Sequence, residues 1–143
     1  MIIIYTPEDG TPERRFDMRA VRTSEAQIVE RTTDMKWSAI KLGVRDDDPT
    51  ALRGIAWVLL KREQPSLRWS EFDPLTSELA SRFDEREVQL VAVDILALPA
   101  KQQPQAITEL RMYAADPACV DVALKEAAEP PKEATAETSP TDG

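Results

Sequence analysis

The stretch Asp48-Pro49-Thr50-Ala51-Leu52-Arg53-Gly54-Ile55-Ala56-Trp57-Val58-Leu59-Leu60-Lys61-Arg62-Glu63 decides the fold class. Asp48 offers a side-chain acceptor to the free amides of a helix start, and Pro49, with no amide to satisfy, suits the first helical position. Leu52, Ile55, Ala56 and Leu59 recur at the i, i+3, i+4, i+7 spacing of one helical face. Trp57, Val58 and Leu60 widen that stripe almost all round, so this is the expected central buried helix. Lys61 and Arg62 complement the dipole at its far end, and Pro65 stops it.

Upstream, Ser24 with Gln27 suggests a capping box for a helix ending near Asp34, and Ser38 an N-cap for a second short helix containing Ile40 and Leu42, with Gly43 near its end. Before them, the β-branched run Ile2 to Tyr5, the turn-rich Pro7-Glu8-Asp9-Gly10-Thr11-Pro12 and the alternating Arg14 to Val21 spell a β-hairpin over residues 1–22. Phe16, Met18 and Ala20 share one face of its second strand. A frayed N-terminal arm is the competing reading, because two strands alone are marginal.

Downstream, Trp69 and Phe72 stand at i, i+3 in about one helical turn, and Pro74 marks a restart. Leu75, Leu79 and Phe83 then repeat every fourth residue, as on a helix. Asp84 and Glu87 open a further segment, Val88 to Ile95, whose β-branched content also suits a buried strand; its length and charged first turn favour helix. Pro104–Ala115 and Pro117–Glu129 read as two more helices, with Asp116 capping the second. The expectation is an α+β, mainly α domain over 1–128, the hairpin packed on a cluster of short helices over 24–128. Residues 130–143 hold no aromatic or large aliphatic side chain and are expected to form a disordered acidic tail.

Composition narrows function by exclusion. Acidic residues outnumber basic ones 26 to 18, a formal charge of −8 with no segregated basic patch, which disfavours nucleic acid and anionic membranes. The chain has no histidine and one cysteine, Cys119, so no thiolate metal site and no intrachain disulfide can be built; Cys119 reads as a small core residue. Glycines 10, 43, 54 and 143 lie too far apart for a phosphate loop. Asp46-Asp47-Asp48 can in principle hold a divalent cation, but helix capping and the dipole explain them better. No catalytic residue, metal or cofactor is expected. The start lacks a secretory signal, and no long apolar run occurs, so a cytoplasmic protein is expected. The remaining unusual feature is aromatic: Trp57 reads as core, while Trp37, Trp69 and Phe72 stand at element ends, where they serve either as core or as partner-binding anchors.

Three pieces in order carry a resemblance. They are Glu25-Ala26-x-x-Val29-Glu30-Arg31-x-Thr33-x-Met35-x-Trp37, Ala51-Leu52-x-x-Ile55-x-Trp57-Val58-Leu59, and Lys61-Arg62-Glu63-x-Pro65-x-Leu67-x-Trp69-x-Glu71-Phe72-Asp73. Over residues 20–73 the chain resembles the tail assembly chaperones of long-tailed phages infecting actinobacteria. Asp34 stands where those proteins usually carry glycine, and nothing from Pro74 onward matches them. The resemblance implies a non-enzymatic role in the host cytoplasm: coating the helical tape-measure protein before tail-tube subunits polymerise round it. It also implies the tail-tube protein as a second partner, and a longer form made by ribosomal frameshifting. Homo-oligomerisation stays open.

Two other classes compete. A helical adaptor or regulatory protein-binding module, such as one from a phage-derived injection system, fits the same composition. An enzyme working with carboxylates alone needs acids converging in a cleft, whereas these lie mainly at helix ends and exposed faces. A DNA-binding role is opposed by the charge and by the missing basic recognition helix.

Overall fold

The computed structural model describes residues 1–129; the tail expected over 130–143 lies outside the described residues. Strand β1 (Ile2–Tyr5) is the centre of an antiparallel sheet, with β2 (Arg14–Asp17) on one side and β3 (Leu79–Arg82) on the other. Helices α1 (Thr23–Thr33), α2 (Trp37–Arg45) and α3 (Pro49–Leu60) lie between β2 and β3 in sequence. Helices α4 (Glu85–Leu96), α5 (Gln103–Tyr113) and α6 (Ala118–Ala128) complete the described chain. The class is the expected α+β, mainly α, with a hairpin packed on helices.

Register places Ile3 opposite Phe16 on one side and Ser81 on the other, and these three buried residues form the sheet row turned toward α3. Helix α3 begins as its residues dictate: the Asp48 carboxylate accepts from the Ala51 amide at 2.9 Å, and Pro49 takes the first turn. Nine of its twelve residues are buried, which confirms it as the central helix.

Four local expectations are corrected. The second strand stops at Asp17 rather than reaching Val21, because the Asp17 side chain accepts from the Arg19 amide and starts a 3-10 turn, Met18–Ala20. The spacing of Leu75, Leu79 and Phe83 is not helical: Leu75 is exposed, and Leu79–Arg82 is strand, because the open edge of β1 takes a hydrogen-bonded partner that outweighs a three-residue pattern. Ser24 does not cap α1; the Glu25 carboxylate accepts from the Arg22 amide instead, at 2.8 Å. Nor does Ser38 cap α2, whose first amide, on Trp37, donates to Glu30 of α1 at 3.0 Å.

Two other expectations hold in detail. Helix α1 ends at Asp34, which takes the left-handed conformation (φ 56°, ψ 31°) in which a glycine would be favoured. The Val88–Ile95 segment is helix, opened by Asp84 and Glu87, each accepting from the other's amide.

The apolar side chains gather in two clusters rather than one. The first joins the sheet to α1, α2 and α3 around Ile3, Val29, Ile40, Val44 and Ile55. The second joins α4, α5 and α6 around Val88, Ala92, Ile95, Leu110 and Val120. Backbone bonds from Phe83 N to Tyr113 O (2.7 Å) and from Ala115 N to Phe83 O (2.9 Å) tie the end of β3 to the second cluster. Arg15 reaches from β2 to the Ala115 carbonyl at 2.8 Å, and the Met1 amino group pairs with Asp84 and Glu87 of the α4 start.

Candidate protein-binding groove

The structure does not bring the three expected anchors together. Trp69 opens a 3-10 turn, Trp69–Glu71, and its ring stands edge-on to Trp57 of α3, 5.3 Å between centroids. The Arg53 guanidinium carbon lies 3.8 Å from the Trp69 ring centre, while Arg53 Nε donates to the Phe72 carbonyl and Nη2 to the Trp69 carbonyl, both at 2.7 Å. Trp57 Nε1 donates to the Leu67 carbonyl at 3.2 Å. Phe72, expected at an exposed element end, is instead 7% exposed and meets Tyr5 of β1 edge-on at 5.4 Å. Trp69 and Phe72 therefore fasten the loop after α3 to the helix and the sheet.

Trp37 has a different setting. Half-buried at the start of α2, it lines an open groove of about 450 Å³ formed by α2, the Met18–Ala20 turn and the start of α4. Met1, Met18, Val21 and Trp37 in its lining pack on the first hydrophobic cluster, and the facing wall is the outer side of α4, whose inner side belongs to the second. Its apolar lining is completed by Leu90, which is 67% exposed. The α4 residues turned to the core are Val88, Ala92 and Ile95, so Leu90 lies off the inward stripe of its helix.

Arg19, Lys41, Arg45 and Arg86 also line the groove, all exposed, and none belongs to an ion pair among the described residues. Two carboxylates face them. Burial raises the Asp84 pKa, but the Glu87 amide and the Met1 ammonium outweigh it and hold that carboxyl below the usual aspartate range. Sequence reasoning found Trp37 but missed the rest of this groove. One signal was legible: Leu90 and Val93 are apolar yet fall off the inward stripe of their helix.

The other singled-out acids and thiol separate. Asp48 caps α3, whereas Asp47, at φ 54°, turns its carboxylate to Ser81 of β3, accepting from Ser81 N at 2.9 Å and Oγ at 2.7 Å. Among the described residues no three His, Cys, Asp or Glu side chains gather in a metal-holding group. Cys119 packs against the second cluster, half-buried, and burial raises its pKa. Among the described residues no helix is long and apolar enough to cross a membrane.

Neither protein-family models, curated proteins nor solved structures give a match to the chain.

Proposed function

We propose that this protein is a non-enzymatic binding protein, a tail assembly chaperone that holds the helical tape-measure protein of a long-tailed phage until the tail tube forms. What supports this reading is that the three sequence pieces resembling those chaperones are joined to one another by their own pattern residues. Glu25 of the first piece pairs with Arg62 of the third at 2.6 Å, and Trp57 of the second meets Trp69 of the third edge-on. Glu30 and Trp37, both in the first, bond across the α1–α2 turn. The pattern thus specifies one packed unit, and a chain carrying all of it has the means to build that unit. A surface of net negative charge suits a protein that must keep a hydrophobic helical client soluble.

The test is co-expression with overlapping fragments of the tape-measure protein that this reading expects to be encoded beside the gene. At least one fragment should become soluble and co-purify with the chain. If every fragment is as insoluble with the chain as without it, and none binds by calorimetry, the reading is wrong.

A further inference from the structure

We infer that the groove between α2, the Met18–Ala20 turn and α4 receives an acidic amphipathic helix, its apolar side chains against Trp37 and Leu90 and its carboxylates on the basic rim. This rests on the proposal that the protein holds a helical client, and adds where the client sits and what chemistry it presents.

Charge complementarity selects the occupant. The chain as a whole carries −8, yet four exposed basic side chains surround this one apolar hollow. The two carboxylates there, Asp84 and Glu87, are engaged with the Met1 amino group and with each other's amides. A ligand entering the groove therefore meets positive charge that no described residue pairs, round an apolar floor, which attracts a negatively charged segment with an apolar stripe. The lining also repeats at helical intervals: Trp37, Lys41 and Arg45 on α2, and Arg86 and Leu90 on α4, each stand four residues apart. Such rows mesh with the i, i+3, i+4, i+7 face of another helix.

Rival occupants fit less well. Residues 130–143 of this chain carry Glu133, Glu137 and Asp142 but no large apolar side chain to fill the floor. An anionic membrane presents a broad surface that cannot enter a concave hollow walled by α2, the Met18–Ala20 turn and α4.

The experiment uses the full chain and two synthetic helices of about 20 residues with the same leucine stripe, one carrying glutamates elsewhere and the other lysines. The Glu helix should shift the Trp37 indole N–H resonance and leave that of Trp57 in place. It should bind about tenfold or more tightly than the Lys helix, and the double variant Lys41→Glu, Arg45→Glu should reverse that order. Both substituted residues are exposed, and an unchanged amide spectrum away from the groove verifies the fold. Equal binding of the two helices, or indifference to the charge reversal, overturns the inference. So does a dimer in sedimentation that Leu90→Asp dissociates, because the occupant is then a second copy. Anionic vesicles that bind and perturb Trp37 in place of the Glu helix overturn it as well. Tape-measure fragments are titrated in parallel. If they bind the charge-reversed variant as well as wild type, the groove assignment fails while the chaperone proposal stands. If the Glu helix binds as expected and no tape-measure fragment binds, the proposal for the client fails and the groove chemistry stands.

Discussion

The Trp69 ring meets the Trp57 ring edge-on, 76° between planes, and Arg53, one helical turn before Trp57 on α3, holds both the ring and the backbone of the Trp69–Phe72 loop. Arg53 and Trp57 are spaced i, i+4, so one face of α3 cradles the loop that follows it. This arrangement makes Trp69 part of the fold's fastening. The contrast with Trp37, which lines the groove, separates two aromatic residues that look alike in the sequence.

Trp69→Ala is expected to lower stability by about 2–4 kcal/mol, through lost aromatic packing and the exposed edge of Trp57. Denaturant unfolding checks it. A loss under about 0.5 kcal/mol would mean the ring contributes nothing to the fold and is free for a partner.

Gly54→Ala should destabilise, although alanine is the better helix former by about 1 kcal/mol. A Cβ at position 54 would stand 2.8 Å from Val29 Cγ1, so α1 and α3 approach too closely for it. The expected net cost is about 1–2 kcal/mol. In a double-mutant cycle, Val29→Ala should cost less in the Gly54→Ala background than in wild type; strict additivity would show that the helices move apart freely.

Asp47→Ala is expected to cost about 2–3 kcal/mol, because it forces alanine into a positive φ and leaves the Ser81 amide and hydroxyl without their acceptor. Asp47→Asn keeps an acceptor oxygen and tolerates that backbone, so it should cost about 1 kcal/mol or less. Equal melting points for the two variants would refute this account of the α2–α3 turn.

Hydrogen bonds from the Arg62 guanidinium, together with the Arg22 amide, hold the Glu25 carboxyl below the usual glutamate range despite its burial. A depressed folded-state pKa stabilises above the unfolded pKa and is lost as pH falls through the folded value. Wild type should therefore melt above Glu25→Gln at neutral pH, and the two curves should converge as pH drops below about 4.3. A gap that persists unchanged into strong acid would assign the effect to shape rather than charge.

Elements whose signals lie within one turn of the chain were legible from the residues. Asp48 and Pro49 start α3, and Asp84 with Glu87 starts α4, because capping bonds reach only three residues and need no distant partner. Ile2-Ile3-Ile4 announced a strand for the same local reason, the preference of β-branched side chains for a pleated surface. Other features depend on what lies across space. Leu79–Arg82 is a strand because β1, some seventy residues earlier, offers an unpaired edge, and no four-residue window contains that edge. Glu30 caps α2, and Asp47 binds Ser81, only once chain reversals bring them into reach. The division into two hydrophobic clusters, and the groove between α2 and the start of α4, are left undetermined by the periodicity of either helix. Spacing along a helix tells which side chains share a face, whereas the identity of the surface opposite depends on contacts between segments far apart in sequence.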